Sequence, residues 1–388
     1  MNAALRRPGL GIWLRRLAAM TRKELLLLLR DPVLLFVIFY GFTFDVYNAA
    51  SGVTLQLKSA AVAVFDLDRS AASRELAGRL QPPQFVPLAP LERDGEGQKL
   101  LDRGQALMVL SVPPGFSRDL AAGRTAPVQL QIDATNTALA TLGYADATQI
   151  ITQFGLEQAL RRQGISEAAA AELPQVENRV RVWFNPNQED AWFMGISEML
   201  NVVTAFAILL TAALMVREKE RGTIEQLLVS PLSALQITAP KVIAMVIMIH
   251  IGISASLLLV LEPLFDVPIR GSLLLFALVT TLYIVTLSGL GLLIATLTRN
   301  LAQAAMLGIL VLAPMMFLSG VWTPPEAMPP AVRMLVHISP LYYYSDAGYA
   351  ILLKGAGLDV IWPSVLGIAG LGVLIVASGL SRFRRQFG

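Results

Sequence analysis

The run MGISEMLNVVTAFAILLTAALMVREKERG, from Met194 to Gly222, decides the fold. Up to Val216 it carries a single charged residue, Glu198, and from Arg217 to Arg221 every residue is charged. About 20 consecutive apolar residues suffice to carry a helix across the hydrocarbon of a bilayer. The abrupt onset of alternating charge marks the point where such a helix re-enters water. Five further apolar runs have comparable length: Pro32–Ala50, Val242–Leu261, Ser272–Thr296, Leu301–Val321 and Val360–Leu380. Asp45 interrupts the first, and only a short turn around Thr298, Arg299 and Asn300 separates two of the others, as in a helical hairpin.

The composition agrees. Of 388 residues, 55% are hydrophobic and 15% charged, and the mean hydropathy is +0.59. Soluble domains carry roughly 25% charged residues, so much of this chain's surface must face lipid. With no cysteine, disulfides and thiolate zinc sites are excluded. The net charge of +3 gives no reason to expect a nucleic-acid partner.

The positions of the basic residues set the orientation. Arg6, Arg7, Arg15, Arg16, Arg22, Lys23 and Arg30 precede the first run. Arg217, Lys219, Arg221 and Lys241 follow the second, Arg299 marks the hairpin turn, and Arg382, Arg384 and Arg385 close the chain. Six spans put all of these on one side, leaving Arg270, Arg333 and Lys354 opposite, so both termini are predicted to be cytoplasmic. Cleavage of the first run as a secretory signal near Ala49–Ser51 fits less well, because its charged flank is long and five spans follow.

Residues 1–31 read as a basic segment holding an amphipathic helix at the membrane interface. Asp31 and Pro32 are suited to open the span at 32–50. Residues 51–190 alternate short strands (Ala60–Phe65, Ala106–Val112, Val128–Ile132, Val180–Phe184) with short helices and a longer one at Ala138–Arg162, the pattern of an α/β domain outside the membrane. The region 194–321 is predicted to hold spans two to five, with a cytoplasmic loop at 217–240. Residues 322–359, rich in proline and tyrosine, suit an outer loop with short re-entrant helices. A last span at 360–381 and a basic tail at 382–388 complete the chain.

Chemistry of its own is hard to find here. The sequence has no G-x-x-x-x-G-K-[ST] phosphate loop, no H-E-x-x-H and no G-x-S-x-G, and its histidines are His250 and His337. The chain is therefore read as carrying no catalytic or metal site and no cofactor. The loop after the second span is the informative part: Thr223 can cap a short helix that Pro231 stops, giving a charged and apolar element suited to docking against a partner. A plain helix end with ion pairs is the blander reading of the same residues. Asp45 and Asn48 in the first span, and Glu198 and Asn201 in the second, are polar groups at membrane depth. Such groups line a pathway or a dimer interface, unless the helices have already left the hydrocarbon there.

The loop resembles that of ABC-2 type transporter permeases, which follow their second span with R-E-x-E-x-G-T-x-E-x-L…S-P. The matching residues are Arg217, Glu218, Glu220, Gly222, Thr223, Glu225, Leu227, Ser230 and Pro231. Arg22-Lys-Glu-Leu25 and Leu29-Arg-Asp-Pro32 are similar to the family's entry into its first span. Leu318-Ser-Gly320, Pro324, Pro329 and Ser339-Pro340 are similar to its last outer loop. The resemblance implies an α-helical integral membrane protein of six spans with an inserted extracytoplasmic α/β domain, in a bacterial inner membrane. It implies that Arg217–Pro231, Arg221 included, couples to a separate ATP-binding-cassette subunit, which alone binds ATP. It further implies pairing with a second copy or homologue, a periplasmic adaptor in the subgroup with a large outer domain, contact with membrane lipid, and efflux of drug-like or amphipathic solutes. The competing class is a membrane-anchored receptor or envelope-assembly protein whose outer domain binds a ligand.

Overall fold

The computed structural model describes residues 10–52, 59–135, 137–165, 181, 183–222, 234–321, 323 and 325–387. The chain divides into two compact units, residues 54–181 and the remainder.

The larger unit opens with α1 (Leu10–Leu29) and α2 (Pro32–Gly52). On α1, Ile12, Leu14, Leu26, Leu27 and Leu29 are exposed while Leu28 and Glu24 are buried. Asp31 caps α2 by accepting from the Leu34 N–H at 3.1 Å, and Pro32 follows at the first helical position, where its missing N–H costs nothing. Midway, Gly41–Asp45 widens into a π-helical turn. The Phe42 carbonyl accepts from the Ser256 hydroxyl, which opens a second π-helical turn, Ser256–Leu261, on another helix.

Residues 54–181 form a four-stranded sheet flanked by helices. In chain order these are β1 (Ala60–Asp66), α3 (Ala71–Gly78), β2 (Phe85–Pro87), α4 (Glu96–Asp102), β3 (Met108–Val112), α5 (Phe116–Ala122), β4 (Gln129–Ile132) and α6 (Thr137–Arg162). The strand order is β2-β1-β3-β4, with β1 parallel to β2 and β3, and β4 antiparallel to β3. Val62, Met108 and Leu110 of the sheet, Leu76 of α3, Phe116 of α5 and Phe154 of α6 share one buried core. Arg79 ties α3 to α6, bonding Glu75 at 3.1 Å and also Glu157 while lying over the Phe154 ring. Asp68 accepts from the Gly115 and Ser117 N–H groups at 2.8 and 3.0 Å, satisfying the start of α5. Arg181, Trp183 and Phe184 are not in a strand; the expected strand at 180–184 is absent from its described residues, and its remaining positions lie outside them. The fourth strand among the described residues is β2, at the edge of the sheet beside β1.

The larger unit resumes with α7 (Asp190–Glu220), α8 (Leu235–Phe265), α9 (Leu273–Leu297), α10 (Leu301–Phe317), α11 (Pro330–Val336), α12 (Pro340–Leu352) and α13 (Leu358–Phe387). Among the described residues, five helices are long and apolar enough to cross a membrane: α2, α7, α8, α9 and α13. The sixth apolar run folds as α10, which ends at Phe317 rather than Val321. At 1.5 Å per residue it covers about 25 Å, short of the ~30 Å hydrocarbon thickness. The loop expected at 217–240 is in part helix, since α7 runs to Glu220 and helix resumes at Ala234. The basic end of the chain continues α13 through Phe387 instead of forming a separate tail.

Helix α7 is the hub of this unit, 72% buried along its most apolar window, against 22% for α13. Its hydroxyls reach outward: Thr204 pairs with Tyr283 of α9 at 2.8 Å, and Ser197 with Tyr349 of α12 at 2.5 Å. Tyr344 of α12 stacks on Tyr283 with ring centroids 4.0 Å apart. Backbones of α9 and α13 approach so closely at Gly289 that an added Cβ would lie 2.8 Å from the Val376 Cα.

Candidate functional site

Helix α7 does not stop where its apolar face ends. It stays helical through Arg217, Glu218, Lys219 and Glu220, with Arg221 as cap and Gly222 turning the chain at φ +65°, a conformation that suits glycine. Successive residues of an α-helix point about 100° apart. Four consecutive charged residues therefore face four directions around the helix, and each meets a different element.

Arg217 reaches the mouth of α2, its Nη1 lying 3.1 Å from Asp31 Oδ2. The Leu34 N–H first, and then this guanidinium, hold the Asp31 carboxyl below its usual range. Glu218 meets Lys241 of α8, Oε1 to Nζ, at 2.7 Å. Lys241 Nζ also binds Glu24 Oε1 of α1 at 3.0 Å, and its side chain is only 5% exposed. Lys219 donates from Nζ to the Ala295 carbonyl of α9, and to Thr298 O at 3.2 Å. Glu220 Oε1 accepts the Leu301 N–H, the first residue of α10, at 2.9 Å. A cavity of about 720 Å³ opens beside this node, lined among others by Lys23, Arg30, Asp31, Arg217, Arg221 and Lys241. Of the residues singled out in sequence, Arg217, Glu218, Glu220, Arg221 and Gly222 are thus placed at one node. Thr223, Glu225, Leu227 and Pro231 lie outside the described residues.

Three partners in this node were not singled out as site residues from sequence: Glu24, Lys219 and Lys241. Glu24 is the one acidic residue in α1, and Lys241 stands alone at the head of an apolar run, so each carried a faint signal. Lys219 was counted only as a basic residue setting orientation.

A second polar group lies at the other end of α7. Asn201 is buried and donates from Nδ2 to Glu198 Oε2 at 3.3 Å, while Asp45 closes the π-helical turn of α2. Asn48 is exposed.

Residues 25–380 match the family described as ABC-2 family transporter protein. The chain belongs to the ABC-2 family of transporter permeases. Three curated relatives match it over nearly their whole length. The "Inner membrane transport permease YhhJ" of Escherichia coli (strain K12) is 34% identical over 375 residues, covering 97% of this chain and 98% of the relative. The "Probable multidrug ABC transporter permease YbhR" of the same strain is 31% identical over 373 residues, covering 96% and 99%. The "Probable multidrug ABC transporter permease YbhS" is 26% identical over 389 residues, covering 96% and 97%. The node at 217–222 and the polar group around Glu198 both fall inside the ABC-2 match.

Proposed function

We propose that this chain is the membrane-embedded subunit of an ATP-driven exporter, in which a separate ATP-binding-cassette subunit pushes on the segment that begins at Arg217. The observation that carries this reading is the fan of Arg217, Glu218, Lys219 and Glu220 onto α2, α8, α9 and α10. A displacement applied at one helix end is felt by four other helices at once. Ion pairs and backbone hydrogen bonds resist stretching over a few tenths of an ångström, so they transmit a push rather than absorb it. The segment 223–231 would supply the surface that docks in the ATPase, and the cavity between α1 and the end of α7 would receive part of that partner. ATP would be bound and split on the partner alone.

In this reading α10 is a sixth, shorter span, both termini lie in the cytoplasm, and residues 54–181 stand outside the bilayer. Two permease chains, identical or homologous, would enclose the pathway in a bacterial inner membrane among its lipids, and the outer unit would offer a surface to a periplasmic adaptor. That two relatives are named multidrug transporter permeases supports a drug-like solute. Because the chain has no cysteine, single-cysteine labelling tests the topology directly. Arg221→Cys should react only with permeant maleimide in intact cells, and Arg103→Cys should react with impermeant maleimide added to the periplasm. The reverse pattern removes the reading. Co-purification of an ATPase in mild detergent tests the partnership.

A further inference from the structure

Helices α9 and α13 press together at their glycines: a Cβ added to Gly379 would lie 2.7 Å from the Gly289 carbonyl oxygen. Toward the C-terminal ends of the same two helices a groove of about 570 Å³ opens. Thr296 of α9 lines one side, and Ser378, Ser381, Arg382, Arg385 and Gln386 of α13 line the other. Steps of three and four residues put these five on one face of α13. Phe383, on another face, is 2% exposed and packs into the bundle core, which fixes the helix about its axis.

The groove is cationic and its cations are unspent. No carboxylate lines it, and among the described residues neither the Arg382 nor the Arg385 guanidinium has an ion-pair or hydrogen-bond partner. Elsewhere in the bundle Arg217 is held by Asp31, and Arg333 by the Pro325 carbonyl. The hydroxyls are oriented as well. Ser378 donates to Leu374 O at 2.7 Å, Ser381 to Ser378 O at 2.9 Å and Thr296 to Leu293 O at 2.7 Å, so each oxygen is left as an acceptor.

The neighbouring surface is apolar. Val373 and Leu374 are 70% and 66% exposed, and α13 is 22% buried along its apolar window, so it faces hydrocarbon. Eight residues separate Leu374 from Arg382, about 12 Å at 1.5 Å per residue. A phospholipid whose chains lie against Leu374 therefore carries its phosphate at the level of the arginines.

We infer that this groove is a binding site for the headgroup of an anionic phospholipid of the phosphatidylglycerol type. Arg382 and Arg385 clasp the phosphate, the Ser378, Ser381 and Thr296 oxygens accept from the glycerol hydroxyls, and the acyl chains run along Val373 and Leu374. A choline headgroup brings a fixed cation toward two arginines and has no hydroxyl to donate. Basic pockets between spans are suited to such lipids. The inference needs the chain to be embedded in a bilayer and does not rest on the exporter reading.

Native mass spectrometry of the full chain, released from detergent micelles titrated with dioleoyl phosphatidylglycerol or dioleoyl phosphatidylcholine, reads the dissociation constant of the first bound lipid. Phosphatidylglycerol should bind at least about tenfold more tightly, the preference that one charge-assisted hydrogen bond confers. R382Q/R385Q should remove the preference, and R15Q/R16Q, which takes the same charge from the exposed face of α1, should keep it. Equal affinity of the wild-type chain for both lipids overturns the inference whatever the variants do. A preference lost equally in both variants also overturns it, because diffuse charge then suffices. Displacement of the lipid by glycerol 3-phosphate at equal concentration would make the site one for a free phosphate and overturn the lipid assignment. Unchanged lipid binding in an R382Q/R385Q chain that no longer co-purifies with an ATPase would overturn it too, and give the groove to that partner.

Discussion

At the scale of single residues, Lys241 has the most at stake. It is nearly buried and holds two carboxylates, Glu24 and Glu218. Removing the central cation leaves both acids facing each other in a poorly solvated place, which typically costs about 3–5 kcal/mol. K241M should therefore lower the detergent-solubilised melting temperature markedly, and adding E24L and E218Q should recover most of the loss; a thermal-shift assay reads both. Asp68 is a milder case with a pH signature. The Ser70 hydroxyl foremost, with the hydroxyl and N–H of Ser117 and the Gly115 N–H, holds its carboxyl down at about 2, against an ordinary 3.8. A depressed acid contributes stability that is fully present above its unfolded value and is lost as pH falls through its folded value. Hydrogen exchange at the start of α5 should be slower in wild type than in D68N above pH ~4, with the difference vanishing as pH falls through about 2. The charges themselves were legible in the sequence, but their partners were not. Lys241 and Glu24 are 217 positions apart, and no local pattern pairs residues over such a distance.

At the scale of elements, the long helices were legible because hydrocarbon demands an uninterrupted apolar run. Their ends were less so. Helix resumes at Ala234, inside the loop expected at 217–240, and α13 continues through the basic tail, because charged residues are good helix formers once a helix has started. The π-helical turns in α2 and α8 left no mark in the spacing. Strand β2 is three residues long with a proline at its end, below what alternation can reveal. Gly289 and Gly291 are close-packing positions on α9, the first against α13 and the second against Thr211 and Ile208 of α7. A side chain at Gly289 has backbone in its way, and overpacking of this kind costs about 1–3 kcal/mol. G289V should lower the melting temperature by more than a substitution at the unobstructed Gly370 of α13, in the same thermal-shift assay.

At the scale of the whole molecule, the two units have different physics. Residues 54–181 fold around a sheet with its own apolar core, and the rest is a helical bundle whose surface is apolar, with Leu274, Leu310 and Val373 all about 70% exposed. This division was legible in the sequence, since long uncharged apolar runs recur in one part and only short apolar stretches, broken by charges, in the other. The site was half legible: the alternation Arg217–Arg221 announced a special helix end, and only the folded chain reveals that four of those charges grip four other helices. That grip is the basis for the claim that work done by a partner enters at Arg217–Glu220 and spreads through the bundle. Glu220 tests it most cleanly, because its carboxylate holds the first N–H of α10 and E220K replaces the acceptor with a cation. In proteoliposomes containing the permease and its ATPase, the quantity to measure is solute moved per ATP hydrolysed. The ratio should fall about tenfold in E220K, with hydrolysis within about twofold of wild type, if losing this charged contact blocks transmission. An unchanged ratio in a folded, ATPase-bound E220K would contradict the coupling role of the charged end of α7.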